Sequence, residues 1–447
     1  MRVREISEAV ETGMAVERVR AVGEDLGAGG CGAQDGLSEL ARQIVASLPE
    51  SDPRRLVVLA ASDPVLYAGR VAEAVLSLDA AELSHTTELL VRVRINVGAD
   101  PMLAAMQRRL LDGYRAQGRL RSIALLQPIH TWNEICLADW PEALRAAEEG
   151  TRLAEELGFP RWGTGTLIGE GFIAAMRGDH DRAEALILES ERGALAAGAN
   201  NVLTGVQLTR GVNYLAQGRY DEAFTALRRS FDPADPAYHP VQSGWSLGDI
   251  AEAAAHLGRI DEVRPLFERN PVQRNPEASS TPWHQMAQAY AAPFLATEPA
   301  SVEAAYLDAL SGVVAAWPTY RARLLIEYGS WLRRQRRIHD ARERLRAARD
   351  LADALAMHPW SERARSELRA LGAGSPPRIP AAWEPLSPQE LEVAQLAARG
   401  LSNREIGERL FLSHRTVGSH LYRIYPKLGI TNRAQLSGAL RPSPSRG

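Results

Sequence analysis

The sequence predicts an all-α protein, in which an array of helical hairpins precedes a small four-helix unit. Leu, Ala, Arg and Glu dominate most of the 447 residues, and runs of β-branched residues are few. A short phrase of sequence returns at a constant interval in the middle of the chain. Near the C-terminus, serine caps, glycine stops and apolar spacing agree on short helices, and agreement of this kind indicates a real fold.

Length and charge predict more than one domain and an uneven electrostatic surface. A chain of 447 residues with 45% hydrophobic content supports a large core and exceeds one ordinary domain. From Leu386 onward there are eight arginines, one lysine and four glutamates, about +5, and the total of −3 leaves about −8 for residues 1–385. A basic end on an acidic body is typical of a nucleic-acid-binding unit attached to something that does not bind nucleic acid.

Several classes of site are excluded by residue type. The only lysine is Lys427, so a phosphate-binding loop, which requires a lysine, is not expected. Cys31 and Cys136 lie far apart and support neither a disulfide framework nor a zinc site. The histidines and carboxylates form no Ser–His–Asp, paired-carboxylate or His-x-x-x-His pattern. We therefore expect no enzyme activity, cofactor or metal.

The chain shows no sequence feature of membrane insertion or secretion. No stretch of 18 apolar residues occurs, and the N-terminus lacks the apolar run of a signal peptide. We therefore expect a cytoplasmic protein that associates with the nucleoid when bound to DNA, with no membrane partner.

The repeated phrase places a small residue at the start of every second helix. These markers are Ala143, Ala183, Ala223 and Val263, with fainter copies around Ala304 and Ala341. Gly178, Gly218 and Gly258 stand five residues before three of them, where a preceding helix would end. The pattern predicts helical hairpins, and it resembles tetratricopeptide repeats with slightly long loops.

The predicted domains follow from these patterns and from composition. Residues 1–36 are a flexible glycine-rich segment, 37–372 the α-helical repeat domain, 373–385 a proline-rich linker, 386–441 the four-helix unit and 442–447 a disordered tail. Most of the nine tryptophans lie in the repeat domain. We expect them to fill gaps between hairpins; the alternative is a ligand pocket on the concave face.

Residues 413–428 are predicted to form the reading helix of the four-helix unit. Val417, Leu421, Ile424 and Leu428 form one apolar stripe. The opposite face carries cations, hydroxyls and a bare backbone position, as suits a DNA major groove. Predicted helix caps are Ser387, Ser402, Ser413 and either Thr431 or Asn432, and predicted stops are Gly400 and Gly429.

The unit resembles the four-helix DNA-binding domain of the LuxR/FixJ family of bacterial transcription regulators. The resemblance rests on residues 386–433, among them Leu386-Ser387-Pro388, Gly400-Leu401-Ser402-Asn403, Glu405-Ile406, Thr416-Val417, His420-Leu421 and Lys427-Leu428-Gly429-Ile430. It implies that the third helix reads bases and that the fourth forms a two-fold dimer contact. The layout also resembles the C-terminal half of large ATP-binding LuxR-family regulators, without their ATPase, so ATP-gated control is not expected.

We assign DNA contacts residue by residue. Base edges are expected to meet Arg415, Ser419 and Tyr422, and the backbone at Gly418 approaches a base closely. Phosphate contacts are expected from His414, Thr416, Arg423 and Lys427 on the flanks, and from Asn403 and Arg404 at the start of the second helix. His420 is expected to pack rather than to touch DNA.

Two residues depart from the family pattern. Gly418 replaces a side chain that is usually long and charged, and Pro426 lies in the last turn of the reading helix. Proline clashes with the carbonyl four residues earlier, so a kink or the helix end is expected near it.

These features predict a sequence-specific DNA-binding transcription regulator, more specifically an activator. It binds double-stranded promoter DNA as a homodimer, and its repeats sense a small-molecule effector or bind a protein. The alternative is a repeat scaffold in which DNA binding is secondary or vestigial. A two-component response regulator is not expected, because its receiver needs β-strands and a lysine after the fifth of them, whereas this sequence reads as helical and its only lysine is Lys427.

Overall fold

The computed structural model describes residues 104–158, 160–239, 242–268, 281–371, 388–410, 412–427 and 436, and scattered positions between 45 and 74. The all-α prediction is confirmed: these residues form 17 α-helices and two 3₁₀ helices and contain no strand. The chain divides into two compact units, Met1–Glu367 and Leu368–Gly447. None of the helices in the described ranges is long and apolar enough to cross a membrane.

Within the described residues from 104 to 371, the structure contains fourteen α-helices. They are α1 Ala104–Ala116, α2 Leu120–Leu137, α3 Trp140–Glu156, α4 Pro160–Arg177, α5 His180–Ala197, α6 Asn200–Ala216, α7 Tyr220–Arg229, α8 Leu247–Leu257, α9 Ile260–Glu268, α10 Pro282–Leu295, α11 Pro299–Ser311, α12 Pro318–Arg334, α13 Ile338–Ala354 and α14 His358–Ala370. The two 3₁₀ helices are Gln242–Ser246 and Val313–Ala316.

The turns between helices recur at half the interval of the repeated sequence pattern. Left-handed backbone conformations recur at an even spacing, at positions 118, 138, 158, 178, 198 and 218, and again at 258. Each helix and its turn therefore occupy half of the interval between successive markers, and two such units make one hairpin repeat. At Gly198 the amide donates to carbonyls at the end of α5, as expected of a left-handed helix cap.

The four main repeat markers are confirmed as packing positions. Ala143, Ala183, Ala223 and Val263 are completely buried, so the small residue does sit where helices approach closely. Of the fainter copies, Ala341 is also buried.

The copy around Ala304 is a wrong prediction. Ala304 is exposed, whereas Val302 and Tyr306 on the same helix are buried. Helix α11 therefore turns a different face inward, because long-range packing of the Tyr306 ring against Tyr328, 4.9 Å between centroids, decides its rotation.

Aromatic residues fill the interior of the repeat body. Trp283 lies 5.6 Å from Trp132, 5.0 Å from Trp245 and 5.5 Å from Trp317, measured between ring centroids. Phe172 closes the cluster against Trp132 at 5.4 Å. The prediction that tryptophans fill gaps between helices is confirmed for these residues, and the cluster joins α2 to α10, which are distant in sequence.

The second unit contains helices α15 Pro388–Ala398, α16 Asn403–Leu410 and α17 His414–Lys427. Its core is apolar and is built by Val393, Ala394, Leu396, Ala397, Ile406, Val417, Leu421, Ile424 and Leu436. The predicted stripe of the reading helix is thus confirmed at Val417, Leu421 and Ile424. Leu436 is helical and completely buried, so the region of the predicted fourth helix contributes to this core.

Several predictions fall outside the described residues. They concern the segment 1–36, the linker 373–385, the tail 442–447, the caps Ser387 and Thr431 or Asn432, Leu428 and the stop Gly429. The domain boundaries stay predictions. Helix α17 runs to Lys427, one residue past Pro426, and the expected kink stays a prediction as well.

Candidate nucleic-acid interface

Helices α16 and α17 are joined by a tight turn that depends on Gly407. The Leu412 amide donates a hydrogen bond of 2.8 Å to the Gly407 carbonyl oxygen. A Cβ atom added at Gly407 would lie 2.4 Å from the Leu412 carbonyl oxygen, closer than real contacts allow. Because only glycine fits, Gly407 fixes how α17 leaves α16.

The role of Gly407 was not predicted from the sequence. The signal was a glycine inside a helical pattern, where it costs roughly 1 kcal/mol relative to alanine and needs a packing reason. Helix-turn-helix motifs often carry a glycine at this kind of turn.

The start of α16 is fixed by a reciprocal capping box, as predicted. The Glu405 amide donates to Ser402 Oγ at 3.3 Å, and the Ser402 amide donates to Glu405 Oε2 at 2.6 Å. Hydrogen bonds that the Ser402 hydroxyl and amide donate to the Glu405 carboxyl lower its pKa. The predicted stop Gly400, with φ +90°, ends the preceding helix.

The start of α17 is fixed by the predicted cap Ser413. Its Oγ accepts a hydrogen bond of 3.0 Å from the Thr416 amide and lies 2.7 Å from the Thr416 hydroxyl oxygen. The Thr416 side chain is half-buried and bound to the cap. It therefore stabilises the first turn, and its predicted phosphate contact stays a prediction.

The structure brings Asn403 and Gly418 together. A Cβ atom added at Gly418 would lie 3.6 Å from Asn403 Nδ2, an ordinary contact distance. The start of α16 therefore faces the middle of α17 at two residues that we assigned to DNA. Position 418 therefore has room for a Cβ atom among the described residues.

Two other assigned side chains are exposed. Arg404 has 86% of its side chain exposed, and its Nε lies 3.2 Å from Glu408 Oε1, one turn along the same helix. Such a surface pair is weak, so phosphate can compete for the guanidinium. His414 is exposed at the first position of α17.

The remaining assigned residues share helix α17, but their side chains lie outside the described residues. They are Arg415, Ser419, Tyr422, Arg423 and Lys427. His420 is half-buried, and its Nδ1 atom is buried without a hydrogen bond among the described residues. This burial agrees with the predicted packing role.

A capped helix, a glycine-dependent turn and a second capped helix with an apolar inner face constitute a helix-turn-helix. The family model described as bacterial regulatory proteins, luxR family, matches residues 384–438. Those residues form a LuxR-family DNA-binding domain. The resemblance seen in the sequence is thereby confirmed for this domain.

Curated relatives match over stretches not much longer than this domain. A putative HTH-type transcriptional regulator of Mycobacterium bovis and another of Mycobacterium tuberculosis are each 46% identical over 76 residues. The transcriptional regulatory protein LiaR of Bacillus subtilis is 40% identical over 70 residues. The matches cover 17% and 16% of this chain, 9% of each mycobacterial protein and 31% of LiaR. The similarity therefore concerns a small part of each relative and not the whole proteins.

Proposed function

We propose that this chain is a sequence-specific DNA-binding transcription regulator that acts as an activator in the cytoplasm. The observation that carries the proposal is the helix-turn-helix of residues 403–427, with both helices capped and the turn fixed by Gly407. The match of residues 384–438 to the luxR family supports it. Relatives described as transcriptional regulators support it further.

In this proposal α17 lies in the major groove. Arg415, Ser419 and Tyr422 meet base edges, and the backbone at Gly418 approaches a base or thymine methyl group. Phosphates are bound by Asn403, Arg404, His414, Thr416, Arg423 and Lys427. Two copies dimerise through the region around Leu436, and the repeat body is the sensor or protein-interaction module.

The test is the salt dependence and selectivity of binding by the full-length chain. With six to eight phosphate contacts, log K should fall with log salt at a slope of about −5 to −7. A promoter fragment chosen by occupancy mapping should be retained over random DNA at every salt concentration. Equal retention of random DNA would favour the scaffold hypothesis, in which DNA binding is secondary.

Gly418→Lys tests the reading helix directly. The 3.6 Å distance to Asn403 shows that a Cβ atom fits there. We expect the variant to keep its affinity for phosphate and to select a different sequence from randomised DNA, because a long cation would replace the bare backbone. Arg409→Lys is the matched control at an exposed position outside α17 and should leave the selected sequence unchanged. Selection of one sequence by wild type and Gly418→Lys would contradict the assignment.

A further inference from the structure

Helix α14, the last helix before the predicted linker, lies against the starts of successive repeat helices. Trp140 Nε1, at the start of α3, donates a hydrogen bond of 2.7 Å to the carbonyl oxygen of Leu355, the C-cap of α13 in the turn that leads into α14. Pro359 packs on the turn before α5: a Cβ atom added at Gly178 would lie 3.0 Å from Pro359 Cγ. These contacts join parts of the chain that are far apart in sequence.

A third contact continues the series along α14. The guanidinium carbon of Arg363 lies 5.9 Å from the centroid of the Tyr220 ring at the start of α7. Pro359 and Arg363 are four residues apart on α14, which places them on one side of that helix, and Leu355 precedes it as the C-cap of α13. Their partners lie at or next to the starts of α3, α5 and α7, which are equivalent positions of three successive hairpin repeats. A helical ligand bound by a repeat array contacts equivalent positions on successive repeats in the same way.

We call the residues around the Arg363 guanidinium, namely Tyr220, Glu252, His256 and Glu327, the cradle. Its two carboxylates make it specific for a cation. The guanidinium lies 3.3 Å from Glu252 Oε1, contacts Glu327 Oε1, and donates a hydrogen bond of 2.9 Å to His256 Nε2. Both carboxylates are buried, with at most 4% of the side chain exposed. Tyr220 stacks on the His256 ring at 4.1 Å and so closes the cradle from the side.

Of the two cradle carboxylates, Glu327 depends more on Arg363 as its cationic partner. Glu252 also has the buried Arg323 at 2.6 Å, whereas Glu327 has, besides Arg363, His256 Nε2 at 3.3 Å. The ligand atoms of Glu252, His256 and Glu327 lie close enough to hold a metal ion. The guanidinium of Arg363 stands in that position instead, so the ligand for which the structure is built is an arginine side chain.

Helix α14 has the amphipathic character of a groove ligand. Trp360 and Ala364 are almost completely buried, and Trp360 lies under the guanidinium of Arg323 at 5.5 Å. Arg365 points to the opposite side, where it pairs with Asp353 at 2.8 Å. An apolar face with one arginine at its edge thus meets the array.

We propose that the repeat array is a helix-binding site and that α14 is its internal occupant. The site accepts an amphipathic helix with a tryptophan and, three residues later, an arginine, as in Trp360 and Arg363. A partner protein that presents such a helix displaces α14, the last described helix before the LuxR-type domain. The proposal goes beyond DNA binding and stands whether or not that domain binds DNA.

Hydrogen exchange of the full-length wild-type protein is the first test. We expect α14 to open separately from the array, with amide exchange about tenfold faster or more than in α8 and α12, which carry the cradle carboxylates. If α14 exchanged in step with α8 and α12, it would be an ordinary part of the core and the proposal would be overturned.

Two arginines of α14 provide a matched pair of variants. Arg363→Ala should raise exchange in α14 on the order of 100-fold, because a buried carboxylate loses its partner. Arg365→Ala removes the same residue type from the outer side and should change exchange less than about threefold. Equal effects of the two substitutions would contradict a specific cradle. Trp140→Phe is a further variant that removes the hydrogen bond to Leu355 together with part of a buried ring, and it should also raise exchange in α14.

A peptide in trans identifies the groove as a binding site. A fluorescent peptide of residues 355–371 should bind the full-length Arg363→Ala protein, with fluorescence anisotropy as the measurement. The same peptide carrying its own Arg363→Ala change should bind about tenfold more weakly or worse. Equal binding of the two peptides, or binding of neither, would refute recognition of the arginine.

Discussion

The two units of this protein place charged side chains differently. In the repeat body, Arg323 is completely buried and lies 2.7 Å from Asp249 and 2.6 Å from Glu252. In the LuxR-type domain, the charged residues whose side chains the structure describes are exposed apart from Glu390. The body thus buries ion pairs between helices that are far apart in sequence. The domain depends on an apolar core, helix caps and one tight turn.

Burial and the neighbouring arginines shift the pKa of the buried carboxyl groups of the body. Burial by itself raises the pKa of Glu252, but Arg323 and Arg363 outweigh it and lower the pKa to about 2. Tyr290 donates a hydrogen bond of 2.6 Å to the same carboxylate and stabilises its charged form. For Asp249, burial is dominant and raises the pKa.

Removal of the central cation should have the largest effect. Arg323→Met leaves Asp249 and Glu252 buried with less compensation, and we expect the free energy of unfolding of the body to fall by about 3–5 kcal/mol. The measurement is denaturant unfolding followed by tryptophan fluorescence, since the aromatic cluster lies in the body. Arg404→Met, at an exposed pair of the domain, is the control and should leave that transition in place. A small effect of Arg323→Met would show that the ion pairs do not hold the body together.

The second-largest effect is expected from acid, which should lower the stability of the repeat body. Burial lowers the pKa of His284 in the body to about 4, whereas an unfolded histidine has a pKa of about 6.5. The unfolded chain therefore takes up the proton first. This contribution to stability is intact above about pH 6.5 and is lost as the pH falls towards 4, by up to about 3 kcal/mol.

The variant His284→Gln checks this origin of acid lability. It should flatten the pH dependence of body unfolding between pH 6.5 and 4, relative to wild type. The body transition is again followed by tryptophan fluorescence. An unchanged slope would assign the acid lability to other buried groups.

Two glycines of the domain should respond in opposite directions. Gly407→Ala places a Cβ atom 2.4 Å from a backbone oxygen and should destabilise the domain by about 1–3 kcal/mol. Gly418→Ala meets only an ordinary contact and should stabilise α17 by up to about 1 kcal/mol. Hydrogen exchange of α15 to α17 in the full-length chain measures both. Similar behaviour of the two variants would disprove the role of the turn.

The smallest expected effect concerns a cap. Ser413→Ala removes the acceptor of the Thr416 amide and should cost about 1 kcal/mol, seen as faster exchange in the first turn of α17. Ser413→Asp retains an acceptor and should restore protection. Exchange in the body should be unaffected by either substitution, which ties the effect to the domain.

Local features of the fold were predictable from the sequence, and long-range ones were not. Ser402, Ser413 and Gly400 act where their residue types predicted, because a cap or stop needs only its own turn of helix. Ala304 failed as a marker because the rotation of α11 depends on packing against α12. Gly407 was missed because its reason is a carbonyl oxygen in the following turn.

The sequence by itself determined the all-α class, the hairpin repeat and the LuxR-type domain, predicted at residues 386–441 and matched by the family model over 384–438, since these depend on periodicity and on motifs within a few turns of helix. Tertiary structure alone decided which charges are buried and where α14 lies. Arg363 meets Glu252 and His256, which are distant in the chain, and no local pattern encodes such a pairing. Its physical cause is the desolvation of two carboxylates, which only a cation brought in by the fold can compensate.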